Sequence, residues 1–200
     1  IGLAYARELA RRGYDLLLVS NEQERIGTVA EELAAAFGVK TIPLCMDLAR
    51  SEAARELYDY CEREKLQIGI LVNNAGIFFF DDLTEVAPER IETMLLLHIR
   101  TVTLLCRYFG AAMKRRRAGY ILNMSSLSAW TPAPGISVYA ASKSYIRKFS
   151  QMLRYELHQY GVGVTTVCPG AIAPGLYTLS VYYHRIASRG VGRINPERIA

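Results

Sequence analysis

The sequence predicts a doubly wound α/β fold, in which helices cover both faces of a parallel sheet. Short apolar segments alternate with helical patterns along the chain, and each segment is apolar nearly throughout, as expected of buried parallel strands. Polar and small residues follow several of these segments where they end. Ligands bind at that edge of such sheets, so the same pattern also predicts where a site would lie.

The composition is that of an ordinary globular protein, with 51% hydrophobic and 22% charged residues. No repeat, linker or low-complexity tract divides the chain, so we predict a single domain over residues 1–200. The longest apolar run, GILVNNAGIFFF, is interrupted by Asn73 and Asn74, which argues against a membrane span.

In the first part of the chain, the glycines Gly13 and Gly38 mark the ends of two helical patterns. Each helical pattern is followed by an apolar segment rich in branched side chains. The predicted elements are a helix over 2–12, a strand over 14–20, a helix over 22–37 and a strand over 39–48.

The alternation continues to the end of the chain. Ser51 is a candidate helix cap, Pro88 suits the first turn of a helix, and Gly161 ends another. The predicted elements are helices over 51–64, 88–117 (with a bend allowed) and 138–160, and strands over 68–72, 120–126 and 162–170.

Four strands run into residues that suit ligand binding. Any one of these junctions could be ordinary turn chemistry, but four at one sheet edge predict a binding crevice. The junctions are Asp47-Leu48, Asn73-Asn74-Ala75-Gly76, Met124-Ser125-Ser126 and Pro169-Gly170.

Tyr139 and Lys143 lie four positions apart on a predicted helix, and therefore about 5.4 Å apart on one face. They could be the polar face of an amphipathic helix or an acid–base pair. A phenol has a pKa of about 10, and a neighbouring ammonium lowers it by favouring the phenolate. The apolar stripe that we expect to face the core lies one step round the helix and consists of Val138, Ala141, Tyr145, Phe149 and Met152.

These residues resemble the motifs of the short-chain dehydrogenase/reductase family, in its common single-domain branch. The chain matches Y-x-x-x-K at 139–143, with Ser126 thirteen residues before the tyrosine. It also matches N-N-A-G at 73–76, D-L at 47–48 and P-G at 169–170. The resemblance covers essentially the whole chain and implies a Rossmann-type, three-layer α/β/α fold and an NAD(P)-dependent oxidoreductase.

The resemblance also implies roles for individual residues. Tyr139 would be the general acid/base, Lys143 would lower its pKa and hold the nicotinamide ribose, and Ser126 would polarise the substrate carbonyl. The fourth catalytic position, an asparagine in the family, is His98 here. That histidine could maintain a proton relay or be a satisfied interior residue. The expected cofactor-binding residues are Gly2, Ser20, Asn21, Asp47, Leu48, Asn74, Ala75, Gly76, Tyr139, Lys143, Pro169, Gly170 and Ile172.

Three further features depart from the family pattern. The chain opens at Ile1-Gly2, which match the end of the family's glycine fingerprint, so we expect an incomplete domain lacking the first strand and the C-terminal end. Pro174 stands where the family often has a threonine that contacts the carboxamide. After the second strand of the family, Ser20-Asn21 replace the acidic residue that selects NAD. NADP(H) is therefore favoured over NAD(H), and carbonyl reduction is the expected direction.

Partners are less strongly indicated. The net charge of +5 includes the run Lys114 to Arg117, which suits either a nucleic-acid patch or, as we favour, a helix C-terminus. Scattered cysteines and histidines predict no metal site and a reducing, cytoplasmic location. We expect a small carbonyl or alcohol substrate, a mobile substrate loop at 175–193, and a homodimer or homotetramer formed through the long helices. The rival is a non-catalytic protein that senses the cofactor.

Overall fold

A computed structural model describes residues 1–131 and 133–170. The described residues divide into two compact units, one built on Ile1–Leu48 and the other beginning at Ala49. The prediction of a single domain over 1–200 stays a prediction. The expectations for Ile172, Pro174 and the 175–193 loop lie outside the described residues.

The first unit pairs two parallel strands with two helices. Leu16 lies opposite Thr41 and Ser20 opposite Cys45, so the two strands are in register from end to end. Gly38 ends the second helix in the left-handed conformation, with φ of +69°, which costs glycine little. The elements are α1 (Gly2–Arg11), β1 (Leu16–Ser20), α2 (Gln23–Phe37) and β2 (Thr41–Cys45).

The core of this unit forms where α1 and α2 meet β1. Ala6 and Ala10 of α1, Leu16 of β1 and Leu33 of α2 make one buried cluster. Small alanines on α1 allow the helix to approach closely, while the leucines supply most of the buried apolar area. The first helix and strand predicted from the sequence are thus confirmed, with ends that differ by one or two residues.

The second unit is built on three parallel strands in the order β3-β4-β5. Asn73 pairs with Asn123, and Met124 pairs with Val167, so the carboxyl ends of all three strands lie at one edge. The predicted parallel α/β fold is confirmed. The elements are α3 (Ala53–Arg63), β3 (Ile70–Asn73), α4 (Pro88–Leu95), α5 (Val102–Arg116), β4 (Gly119–Met124), α6 (Ser137–His158) and β5 (Val162–Val167).

The predicted helix over 88–117 is divided by a π-helical segment, Leu96–Thr101, between α4 and α5. Such segments insert an extra residue into the turn and occur often at functional sites. His98 is in this segment and is only 1% exposed. The sequence allowed a bend in this helix but did not place the π-helical turn.

Two local predictions are wrong. Ser51 does not cap α3, because the N-cap residue is Glu52 and makes no side-chain capping hydrogen bond. On α6, most of the predicted apolar stripe does not face the core, although Val138 at its start packs against a buried cluster. Tyr145 and Met152 are 37% and 42% exposed, whereas Ile146 and Lys143 are 1% and 5% exposed. The helix therefore buries the face that carries Lys143, because that face also holds the small serines Ser142 and Ser150 and the apolar Ile146 and Leu157.

The basic run at the end of α5 makes contacts within the second unit. Arg116 donates to the carbonyl of Ile68 at 2.7 Å, and Arg117 donates to the carbonyl of Gln159 at 3.1 Å. Lys114 Nζ lies 4.0 Å from the centroid of the Tyr160 ring. These contacts favour the helix-terminus interpretation over a nucleic-acid patch. Among the residues that the structure describes, no helix has the length and apolar character needed to cross a membrane.

Candidate active site

Tyr139 and Lys143 lie on the buried face of α6, beside the carboxyl end of β4. Lys143 Nζ is 5.5 Å from the centroid of the Tyr139 ring. It donates a hydrogen bond of 3.1 Å to the carbonyl of Met124, the last residue of β4. The sheet therefore holds the ammonium beside the Tyr139 ring. The acid–base role of the pair stays a prediction.

The surroundings of Lys143 disfavour the charged form of its side chain. Burial lowers the pKa of its ammonium from 10.5 to about 8, while the nearby thiol of Cys168 acts in the opposite direction. An ammonium that has lost most of its hydration is stabilised strongly by a neighbouring anion. Lys143 is thus suited to stabilise a phenolate at Tyr139.

The Tyr139 ring is half-buried and is confined by two other aromatic rings. The Phe78 ring lies edge-to-face with it, at 4.9 Å between centroids, and the His98 ring lies at 5.9 Å. Edge-to-face packing of this kind restricts the orientation of a ring. The phenol is therefore held by the loop after β3 as well as by its own helix.

The two serines after β4 face different surroundings. Ser125 is 2% exposed, and its hydroxyl donates to the carbonyl of Lys143 at 2.7 Å. Ser126 is half-buried with extended backbone, at φ −160° and ψ 159°, and its Oγ accepts from the Ser128 amide at 3.2 Å. Successive residues of extended chain point to opposite sides, so Ser125 supports α6 while the Ser126 hydroxyl keeps a proton to donate.

His98 is fully engaged within the protein. Its Nε2 accepts a hydrogen bond of 3.0 Å from the amide of Ile77, and its Nδ1 lies 3.0 Å from the Ser142 hydroxyl. Burial, and then the charge of Lys143, lower the pKa of His98 to about 3. The imidazole is therefore neutral at physiological pH, and of the two interpretations left open by the sequence, these contacts favour a satisfied interior residue.

The two asparagines at the end of β3 also differ. Asn73 is buried, and its amide nitrogen donates to the Asn123 side chain at 2.8 Å. Asn123 in turn donates to the Ser150 hydroxyl of α6 at 2.8 Å, so this network ties β3, β4 and α6 together. Asn74 is half-buried, and Ala75 and Gly76 are exposed, which leaves backbone accessible at this strand end.

Gly76 is packed against the candidate catalytic residues. A Cβ atom at this position would lie 3.0 Å from His98 Nε2 and 3.7 Å from Lys143 Nζ. The first distance is tighter than ordinary van der Waals contact. A side chain here would push on the histidine, which gives a structural reason for glycine at the fourth position of the N-N-A-G motif.

The end of β5 completes this edge of the sheet. The Ser125 amide donates to the carbonyl of Val167 at 2.8 Å, and the Leu127 amide donates to that of Pro169 at 2.9 Å. Pro169 and Gly170 are half-buried. Predicted residues from three strand ends and from α6 therefore meet within the second unit.

A family model described as short chain dehydrogenase matches residues 1–179. The chain belongs to the short-chain dehydrogenase family. The solved structure of a short-chain dehydrogenase from Sphingobium yanoikuyae in complex with NADPH is similar, with a TM-score of 0.87 and 28% identity, and the match covers 99% of this chain and 76% of that one. The Rossmann-type fold expected from the sequence is thus confirmed.

Two curated relatives of this chain differ in what their names say about activity. Very-long-chain 3-oxoacyl-CoA reductase of Anas platyrhynchos is 34% identical over 187 residues, covering 90% of this chain and 59% of the relative. Inactive hydroxysteroid dehydrogenase-like protein 1 of Pongo abelii is 33% identical over 190 residues, covering 92% and 56%. The chain thus spans less than two thirds of these relatives.

The other predicted nucleotide-binding residues of the chain lie in its first unit. Gly2 begins α1, Ser20 ends β1, and its hydroxyl accepts from the Glu22 amide at 3.1 Å. Asn21 and Asp47 are exposed, and Leu48 is half-buried. Their part in cofactor binding stays a prediction, as does that of Ile172, which lies outside the described residues.

Sequence reasoning missed the residues that support the dehydrogenase motif. Ser142, the Met124 carbonyl, Phe78 and Ser125 all contact Tyr139 or Lys143 directly. Ser142 could have been noticed, because a serine three residues after Tyr139 can bond back to its carbonyl. The Met124 carbonyl left no signal, since every residue carries one.

Proposed function

We propose that this chain carries the catalytic core of an NADPH-dependent carbonyl reductase, which in reverse would act as an alcohol dehydrogenase. The observation that carries the proposal is the position of Lys143, whose buried ammonium is fixed by the Met124 carbonyl beside the Tyr139 ring. A desolvated ammonium is costly unless an anion forms next to it. A phenolate at Tyr139 is such an anion.

The proposed chemistry is a proton transfer to a substrate oxygen. The Tyr139 hydroxyl gives its proton to the oxygen of the carbonyl as that oxygen gains negative charge. Lys143 stabilises the phenolate that remains, and the Ser126 hydroxyl donates a hydrogen bond to the same substrate oxygen. Each group acts on charge that develops during the reaction, which is why the arrangement favours catalysis over binding alone.

A reduced nicotinamide nucleotide, when bound, would supply the hydride for the carbonyl carbon. The residues present fit such a group. Ala75 and Gly76 leave accessible backbone at the end of β3, and Lys143 offers an ammonium donor to a ribose hydroxyl. Ser20 carries no carboxylate that would repel a 2′-phosphate, which supports NADPH over NADH, as does the NADPH complex of the Sphingobium relative.

A second candidate function is a protein that binds the cofactor without turnover. It is favoured by the relative named inactive hydroxysteroid dehydrogenase-like protein 1. The presence of Tyr139, Lys143 and Ser126 together argues for the enzyme, and the two candidates differ in whether NADPH is consumed. The cytoplasmic location and the homodimer or homotetramer stay predictions. The oligomer is supported by three exposed side chains on α6, Tyr145, Met152 and Tyr155.

The test of the enzyme is NADPH oxidation by the purified protein with a panel of ketones and aldehydes. We expect Ser126→Ala to lower kcat by about 10²-fold, since one donor to the developing oxyanion is lost, while Kd for NADPH stays unchanged. Ser128→Ala is the matched control, because Ser128 contacts Ser126 through its backbone amide and not its hydroxyl. NADPH binding with no turnover on any carbonyl would instead favour the sensor.

The nucleotide preference is tested at Ser20. We expect Ser20→Asp to raise KM for NADPH by about 10²-fold, because a carboxylate would repel the 2′-phosphate, with little change in KM for NADH. The new carboxylate can still accept from the Glu22 amide, as the serine does, so the start of α2 is preserved. Equal effects on the two nucleotides would contradict the assignment of this position.

A further inference from the structure

A chain of three hydrogen bonds connects the loop after β3 to the first turn of α6. It runs from the Ile77 amide to His98 Nε2 at 3.0 Å, and from His98 Nδ1 to the Ser142 hydroxyl at 3.0 Å. The Ser142 hydroxyl donates in turn to the carbonyl of Tyr139 at 2.7 Å. His98 and Ser142 are each 1% exposed, so the chain is shielded from water.

The donors and acceptors of this chain allow one arrangement of protons. The Ile77 amide can only donate, so His98 Nε2 must be unprotonated. The neutral imidazole then carries its proton on Nδ1 and donates it to the Ser142 oxygen. Ser142 is left to give its own proton to the Tyr139 carbonyl, which can only accept. A protonated His98 would bring an N–H at Nε2 against the Ile77 N–H. This series of hydrogen bonds therefore excludes the charged form of His98.

Serines in helices often bond back to a carbonyl of their own helix, so this contact alone would not indicate a special role for Ser142. Ser144 and Ser150 of α6 make the same kind of bond, to the carbonyls of Ala140 and Ile146. Each of these serines also has a partner outside α6: Ser144 bonds the Ala129 carbonyl, and Ser150 accepts from Asn123. Ser142 differs in that its outside partner is a histidine, which itself accepts from the loop after β3. That histidine is in the π-helical segment and fills the space in front of Gly76. The contact thus joins three separate elements.

We propose that Ser142 and His98 are positioning residues, which set the place of Tyr139 relative to the loop at 74–77. The inference rests on the proposed role of Tyr139 as the acid. His98 acts here as a neutral spacer of fixed tautomer and carries no proton of the reaction. Among the described residues, the titratable groups that face it are the Lys143 ammonium and the Tyr139 phenol, both on α6, and the loop at 74–77 contributes none.

The kinetic test changes Ser142 and His98, the two side chains of the hydrogen-bond series, one at a time. We expect Ser142→Ala to lower kcat about tenfold, because small misplacements of a catalytic group are costly, with KM for NADPH unchanged and with recovery in Ser142→Thr. Ser144→Ala is the matched control and should behave as wild type. His98→Gln keeps an acceptor for the Ile77 amide but loses Ser142, so it should resemble Ser142→Ala. The dependence of wild-type kcat on pH should show no step from an ionisation of His98 between pH 5 and 8.

A spectroscopic test needs no turnover. In protein labelled with 15N-histidine and 13Cζ-tyrosine, NMR should show His98 protonated on Nδ1 only and unchanged from pH 5 to 8. The Tyr139 signal, assigned with Tyr139→Phe, should move in Ser142→Ala but not in Ser144→Ala. A His98 signal that titrates near pH 6.5, an Nε2–H tautomer, or an unmoved Tyr139 signal would overturn the inference. Absence of turnover with these NMR results intact would overturn the reductase proposal and leave the positioning chain supported.

Discussion

Tyr139→Phe is expected to lower kcat for carbonyl reduction by about 10³-fold, since a positioned general acid contributes on this scale. The substitution removes only the hydroxyl. The ring can keep its edge-to-face contact with Phe78 and its place near His98, so the helix and the loop after β3 should be undisturbed. We therefore expect Kd for NADPH, measured by fluorescence titration, to remain within about twofold of wild type.

Tyr145→Phe provides the matched control for this change. Tyr145 lies on the same helix, is 37% exposed, and its hydroxyl is 2.9 Å from that of Thr103. Loss of this surface hydrogen bond should leave kcat unchanged. Turnover that survives in Tyr139→Phe would refute the acid–base role, whereas loss of both turnover and NADPH binding would point to a folding defect.

The sequence predicted the order and type of the elements well, because each depends on local pattern. Apolar segments bounded by glycine define the strands. Pro88 marks the start of a helix, and α4 begins at that residue in the structure. The same local pattern misled on α6, where hydrophobicity alone placed Tyr145 and Met152 toward the core. The helix instead buries Lys143 and Ser142, whose polar groups are satisfied by Met124, His98 and the backbone.

The candidate site was predicted in its residues but not in its contacts. Ser126, Tyr139 and Lys143 follow from motif and spacing, and the structure places Lys143 beside both the Tyr139 ring and Gly76 in the second unit. The role of His98 could not be decided from sequence, because a histidine can donate, accept or titrate. Only the positions of the Ile77 amide and the Ser142 hydroxyl fix its tautomer.

Lys143→Met is expected to remove turnover and also to relieve a folding cost. Without the ammonium, a phenolate at Tyr139 loses the positive charge beside it, so kcat should fall by about 10³-fold. The methionine has nearly the same length and suits a site that is 5% exposed. Residues that a site needs are often not those that the fold prefers, and a buried ammonium is such a case.

The size of that cost follows from the pKa of Lys143, which burial lowers from 10.5 to about 8. Because one pKa unit corresponds to about 1.4 kcal/mol, burying the charged form costs about 3 kcal/mol. Below pH 8 the lysine is charged in both the folded and unfolded states, and the whole cost is present. Between pH 8 and 10.5 the folded state loses its proton first, so the free energy of unfolding rises with pH. Part of the gain from methionine is offset, since the Met124 carbonyl loses its donor.

The cost of burying the Lys143 ammonium is measured by denaturant unfolding of wild type and Lys143→Met at several pH values. Titrations of other groups cancel in the difference between the two free energies of unfolding. At pH 7 we expect the variant to be more stable by about 1 kcal/mol, after the lost hydrogen bond is included. By pH 10 wild type should have gained up to about 3 kcal/mol relative to the variant. Lys148→Met changes an exposed lysine on the same helix, and its difference from wild type should stay flat. A flat difference for Lys143→Met as well would mean that its ammonium is not desolvated, and the basis for a stabilised phenolate at Tyr139 would be lost.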